Sequence, residues 1–249
     1  MGRPVDKIDT VFFDVGATLR FVVEDPEFVA AAEAELMRLT QTEESHDEFF
    51  EKLQKNWLAY RKKAKKELLD CSEMELWLYY LLPDYDPAVI APNAARLTRL
   101  WRDHDGRREA HEDVIPTLHE LKKRGYKLGI IANTITETEI PDWMCSAGVA
   151  KCFDTVILSS KVRLRKPDPA IYLLAARCIE SAPEDCAYVG DNPVRDVEGA
   201  LDAGFGSMVL YEDAGTADRE GKAPTKKPDY VIKTLGDLLK IFPDRKAQA

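Results

Sequence analysis

The sequence predicts an α/β protein: a parallel sheet with helices on both faces, interrupted after its first strand by an all-helical insertion. Three observations predict it. Short apolar runs at 11–13, 126–132, 155–158, 186–190 and 207–210 read as strands, and such runs mark strands buried on both faces inside parallel sheets. Helical stretches separate the later runs, a rhythm that implies right-handed βαβ units. Between the first run and the rest, residues 22–110 repeat apolar positions at steps of three and four, with no convincing strand from 26 to about 105.

Taken in order, the run at 11–13 delivers Asp14 to the carboxyl end of a strand, the edge where ligands bind in open α/β sheets. Residues 20–24 continue extended. Asp25 then caps a helix that Pro26 opens. Phe49, Leu53, Trp57, Tyr60, Ala64 and Leu68 form the apolar stripe of a second helix. Its basic run, Arg61 to Lys66, reads as a solvated face. Ser72 with Glu75 three residues on is a capping box opening a third helix over 72–82; the proline-bearing stretch 83–87 ends it, and a fourth runs to about Trp101. Beyond His111 the sequence alternates: helix 114–123 stopped by Gly125, strand 126–132 ending in Asn133 and Thr134, a helix near Pro141, and strand 155–158. Then come Lys166 before the helix 170–179, strand 186–190 ending in Asp191 and Asn192, and strand 207–210. A polar surface loop over 211–229 precedes a last short strand and a helix at 235–241.

Composition narrows the function. A chain of 249 residues with 45% hydrophobic content has ample material for a core, and a net charge of −9 argues against nucleic acid as the partner while leaving room for a small phosphorylated substrate. The five cysteines show neither a C-x-x-C pair nor zinc spacing, so they read as reduced thiols. No stretch has the length of a signal peptide core or a membrane span, and the expected location is cytoplasmic.

The strand ends of a parallel sheet gather at one edge, which brings Asp14, Asn133, Lys166 and Asp191 together. Two carboxylates beside a lysine suit a divalent cation next to a phosphate, and an aspartate can itself attack phosphorus. Either carboxylate alone reads equally well as a structural cap. The four-part order points to chemistry.

That order resembles the haloacid dehalogenase-like hydrolases. The resemblance rests on Asp14-Val15-Gly16-Ala17-Thr18-Leu19, on the segment from Arg165 through Lys166, Pro167 and Asp168 to Tyr172, and on Val189-Gly190-Asp191-Asn192 with Asp196, Gly199 and Ala200. It implies a Rossmann-like core over 1–21 and 111–249 and a helical cap domain, of the type inserted after the first strand, over 22–110. It implies Asp14 as nucleophile, Mg²⁺ held by Asp14, Asp191 and the backbone carbonyl of Gly16, and Lys166 on the phosphoryl group. Asp196 and Asn192 support the site, and Asn133 and Thr134 stand where the phosphate is bound.

Two positions depart from the family's phosphatases. Their second aspartate, the general acid and base, is here Gly16, and the Ser or Thr that ends their second motif is here Ala132. A positioned acid is worth ~10²- to 10⁴-fold in rate, and an oxyanion donor ~10²- to 10³-fold. Three readings follow: a Mg²⁺-dependent phosphatase, slowed by these losses; a catalytically silent phosphate- or metabolite-binding protein; and a metal-independent haloacid dehalogenase. Asp191 weighs against the last, because the dehalogenases carry a neutral residue there.

Overall fold

The computed structural model describes residues 5–212 and 225–246, and in it the run Thr10–Phe13 forms the central strand, β1, fully buried along its length. A ribbon of two short strands follows in sequence, β2 (Arg20–Val23) and β3 (Arg107–Ala110). The remaining strands are β4 (Lys127–Ala132), β5 (Thr155–Leu158), β6 (Cys186–Gly190), β7 (Ser207–Tyr211) and β8 (Tyr230–Ile232). Six of them make one sheet in the order β5-β4-β1-β6-β7-β8, and every pairing in it is parallel. The chain leaves β1 toward β4 and β5, then returns to the other side of β1 with β6. The order therefore reverses at β1, which opens a crevice at the carboxyl ends of β4, β1 and β6.

Alternation along β1 divides the core. Val11 and Phe13 face the helices Val114–Lys123, Glu139–Ser146 and Leu238–Ile241, whose Leu118, Ile140 and Leu238 are buried with them. Phe12 faces the opposite layer, where Ile171 and Ala175 of helix Pro169–Cys178 pack with Tyr188 and Met208. Burial on both faces is why these strands are continuous apolar runs.

β2 and β3 pair antiparallel, with Arg20 opposite Ala110 and Val23 opposite Arg107. The ribbon is the stem of the helical segment between them. That segment has its own core, in which Leu36, Phe49, Leu53, Trp77, Leu81, Ile90 and Leu97 are fully buried. Asp25 accepts from the backbone N–H of Phe28 and Pro26 starts helix Pro26–Thr40, as expected; Ser72 and Glu75 form their capping box. β3 was not legible as a strand. Its Arg-Arg-Glu-Ala sequence lacks an apolar face, and pairing with β2 alone makes it a strand.

The polar stretch 213–224, part of the expected loop, lies outside the described residues. Among the described residues all five cysteines are free, and no helix is long and apolar enough to cross a membrane.

Candidate active site

Asp14 follows β1, and its backbone N–H donates to the carbonyl of Val189 at 2.9 Å, which fixes it between β1 and β6. The chain then turns: Ala17 takes a left-handed φ of 61°, and the N–H groups of Leu19 and Arg20 both reach the carbonyl of Val15. The turn holds Gly16 and Ala17 against the crevice while the Asp14 side chain stays buried.

Lys166 reaches Asp14 from the segment before helix Pro169–Cys178. Its Nζ donates to Asp14 Oδ1 and Asp196 Oδ1, both at 2.8 Å, and to the Tyr188 hydroxyl at 2.5 Å. The Tyr188 hydroxyl in turn donates to the carbonyl of Ile131. The lysine is set in place from its backbone by Asn133: the Lys166 N–H donates to Asn133 Oδ1 at 2.9 Å and Asn133 Nδ2 donates to the Lys166 carbonyl at 3.0 Å. Both ends of the Asn133 amide are therefore engaged. Thr134, next along, is tied to Ser159 through its backbone N–H and carbonyl. Ala132 lines the same cavity with a methyl group.

The third side of the site comes from β6 and the π-helical turn Pro193–Glu198. Asn192 caps that turn, its Oδ1 accepting from the N–H groups of Val194 and Arg195. Asp196 is completely buried and accepts from the N–H of Asn192 at 3.0 Å. Burial works against its charge, but the Lys166 and Arg195 cations outweigh that and hold the carboxyl below its ordinary range. The fit requires a glycine: a Cβ on Gly190 would stand 2.6 Å from the Asp196 carboxyl carbon. Asp191 receives the Thr18 hydroxyl at 3.4 Å, and burial, with the neighbouring Asp14 and Asp196 carboxylates, pushes it up to about 7.

Carboxylate oxygens of Asp14, Asp191 and Asp196 lie within 4.8 Å of one another. Asp196 is committed to Lys166 and Asn192, which leaves Asp14 and Asp191 as the pair that faces the crevice. Two hard carboxylate oxygens suit Mg²⁺, so the donor set fits the ion. Between them stands Arg195, whose Nη2 is 3.3 Å from Asp14 Oδ2 and 3.4 Å from Asp191 Oδ1.

A cavity of about 470 Å³ opens in front of these groups. Its walls include Asp14, Gly16, Asn133, Thr134, Asp191 and Asn192 from the sheet edge, and Arg61, Lys65 and Arg102 from the helical segment. Arg20 and Glu139 form a buried bidentate pair in its wall, at 2.5 and 2.9 Å. Burial disfavours the Glu139 charge, yet the Arg20 guanidinium holds that carboxyl below its usual value. Sequence reasoning missed Arg195, Tyr188 and this pair. It also read Arg61 and Lys65 as a solvated face: both are exposed, but they stand at the mouth of the cavity.

A family model described as haloacid dehalogenase-like hydrolase matches residues 8–204. The chain belongs to the haloacid dehalogenase-like hydrolases. It is 32% identical over 133 residues to a glyceraldehyde 3-phosphate phosphatase of Methanopyrus kandleri, a match covering 53% of this chain and 55% of that protein. It is 34% identical over 125 residues to a phosphoserine phosphatase of Thermus thermophilus, covering 50% of this chain and 47% of that one. The match thus spans about half the length of each of these curated relatives. The crystal structure of a phosphatase of this family from Thermococcus onnurineus superposes with a TM-score of 0.64 at 26% identity, covering 95% of this chain and 99% of that one. A 2-haloacid dehalogenase from Pseudomonas syringae shares the fold, with a TM-score of 0.66 at 22% identity over 97% of this chain and 100% of that one.

Proposed function

We propose that the protein is a Mg²⁺-dependent phosphohydrolase acting on a small phosphorylated metabolite through an aspartyl-phosphate on Asp14. The observation that carries this reading is the Asp14 carboxylate itself, held by Lys166 at 2.8 Å and open to a cavity at the reversal point of the sheet. Asp14 attacks phosphorus, and the ester oxygen departs with the electrons of the P–O bond; water then cleaves the acyl phosphate and returns the carboxylate. Asp14, Asp191 and the Gly16 carbonyl hold Mg²⁺, which when bound offsets charge on the nucleophile and phosphoryl oxygens. Lys166 supplies a fixed cation to the phosphoryl group. Asn133 acts through Lys166, whose backbone it grips. Thr134, on the cavity wall, offers the hydroxyl that Ala132 lacks. Asp196 and Asn192 hold the site from behind.

In this reading residues 1–21 and 111–249 are the core domain and 22–110 a cap domain that covers the site from the β2–β3 stem. The location is cytoplasmic. Gly16 and Ala132 favour a second reading, binding without turnover, because each removes a group that the reaction uses.

One panel tests all of this: phosphate esters with and without Mg²⁺, beside 2-chloropropionate without metal. Phosphate release that requires Mg²⁺ supports the proposal. Release of chloride instead, or binding of esters with no turnover, replaces it with the dehalogenase or the silent binder.

A further inference from the structure

Beside the cavity in front of Asp14 lies a second one of about 220 Å³. The two share Asn133, Thr134 and Arg195 from the sheet side and Arg61 and Arg102 from the helical segment, so the spaces adjoin, and the second lies within reach of the leaving group of an ester held at Asp14. Helix His46–Glu67 supplies one wall: Trp57, Tyr60 and Ala64, spaced three and four apart, stand on one face. Trp101, near the end of helix Ala94–Asp103, meets Trp57 edge to face with ring centroids 6.4 Å apart. Spacing alone reads this stripe as core. In the structure its rings border open space, and Trp57 is only partly buried.

Most polar side chains on these walls are already engaged. Arg102 holds Asp105 at 3.1 Å, Arg165 holds Asp70 at 2.8 and 3.0 Å, and Arg195 spans Asp14 and Asp191. Both ends of the Asn133 amide grip Lys166. The Tyr60 hydroxyl donates to Asp70 and accepts from the N–H of Cys71, so what Tyr60 has left to offer a ligand is its ring. A guanidinium paired through its edge keeps its flat faces for stacking on an aromatic ring. Arg61 already lies over the Trp57 ring, 5.6 Å from its centroid. Size agrees with a ring as occupant: an apolar cavity of ~150 Å³ takes benzene, so about 220 Å³ admits one six-membered ring with part of its tether.

We infer, resting on the phosphohydrolase reading, that the substrate is a phosphate ester whose alcohol carries a flat aromatic ring, received by Trp57, Tyr60 and Trp101 while its phosphoryl group faces Asp14. The second cavity is then the specificity site for the leaving group. A short alkyl ester leaves the three rings facing solvent, whereas an aromatic ring removes apolar surface from water on both sides of the contact and adds ring–ring and ring–guanidinium attraction.

Three esters of primary alkyl alcohols make the test: ethyl phosphate, 2-phenylethyl phosphate and 2-cyclohexylethyl phosphate. p-Nitrophenyl phosphate does not serve, because its leaving group also departs more easily. Calorimetry with the Asp14→Asn protein reads binding without turnover and so separates this inference from the phosphohydrolase reading. There 2-phenylethyl phosphate binds about tenfold or more tightly than ethyl phosphate, and about threefold or more tightly than the cyclohexyl ester, whose puckered ring cannot stack. The kcat/KM values of the parent protein follow the same order. Adding Trp57→Leu lowers the preference for phenyl over ethyl about threefold or more, while Trp57→Phe, which keeps a ring, retains most of it. Should Trp57→Leu fail to fold, the three esters on Asp14→Asn decide alone. Absence of turnover on every ester, with the binding preference intact, overturns the phosphohydrolase reading and leaves the ring site standing. Equal affinity for the phenyl and ethyl esters, or for the phenyl and cyclohexyl esters, overturns the aromatic site.

Discussion

Lys166 Nζ donates to Asp14 Oδ1 at 2.8 Å, a contact between two buried side chains 152 residues apart in sequence. The same ammonium holds the fully buried Asp196, so its removal leaves that carboxylate with Arg195 and the Asn192 N–H as its remaining partners. Breaking a buried pair by deleting one partner costs ~3–5 kcal/mol, because the other charge is left uncompensated. Lys166→Met is therefore expected to lower stability by about 3 kcal/mol in chemical denaturation and to raise the inhibition constant of vanadate at least ~10-fold. Vanadate inhibition within twofold of the parent would remove Lys166 from the phosphoryl site.

Asp191 gives a pH signature in the metal-free protein. Its pKa rises from an ordinary 3.8 to about 7 through burial and the Asp14 and Asp196 charges. Between those two values the folded protein holds a proton that the unfolded chain has released, so this group subtracts stability as pH rises from about 4 to about 7. Above that window the loss is complete. Asp191→Asn deletes the charge and is expected to gain on the order of 1–3 kcal/mol at pH 8 in chelator, with little change at pH 4. Added Mg²⁺ then stabilises the parent but not the variant. Melting curves of both proteins at the two pH values check it, and a variant that melts lower than the parent at pH 8 sinks it.

In the proposed function Arg195 and the metal would compete for the same oxygens. Its guanidinium spans Asp14 and Asp191 at 3.3 and 3.4 Å, so a cation held by both must displace it or share them. Arg195→Met is expected to tighten Mg²⁺ binding about threefold or more, measured by calorimetry on protein without substrate. Weaker Mg²⁺ binding in the variant would mean that Arg195 orients the carboxylates and does not oppose the ion.

The sheet and the central four residues were legible because of how parallel sheets are buried. Strands covered on both faces must be apolar throughout, so β4, β5 and β6 announce themselves, and the residues after β1, β4 and β6, namely Asp14, Asn133 and Asp191, fall at the crevice. β3 has no such signature: its Arg107 and Arg108 become strand only through pairing with Val23 and Val22. Arg195 directly precedes Asp196 in sequence, yet neighbours in an α-helix point in different directions. The π-helical winding of Pro193–Glu198, which no composition reports, is where both side chains reach the site. Arg61 and Lys65 were visible as basic residues beside the buried Ala64, but a helix face becomes a cavity wall only when tertiary packing sets it over the crevice.

Gly16 is where the chain departs most from the phosphatases it resembles, and the turn leaves room to test it. A Cβ built on Gly16 meets nothing within 4 Å, and Gly16 is not among the residues of positive φ, so an aspartate fits without strain at this position. A carboxylate attacks phosphorus without an external base, which means that the missing group is felt elsewhere: in protonating a leaving alcohol and in activating the water that cleaves the acyl phosphate. The parent protein is accordingly expected to turn over p-nitrophenyl phosphate, whose leaving group needs no acid, far faster than an alkyl phosphate, and to accumulate phosphoenzyme. Gly16→Asp retains the backbone carbonyl and adds a carboxyl at the cavity wall beside Asp14. Alkyl phosphate turnover is expected to rise ~10-fold or more, with a smaller gain for p-nitrophenyl phosphate and less phosphoenzyme trapped on acid quench. Asp14→Asn abolishes turnover in either background. If Gly16→Asp folds, binds Mg²⁺ and still turns over no ester, the missing acid is not what limits this site, and binding without turnover becomes the function.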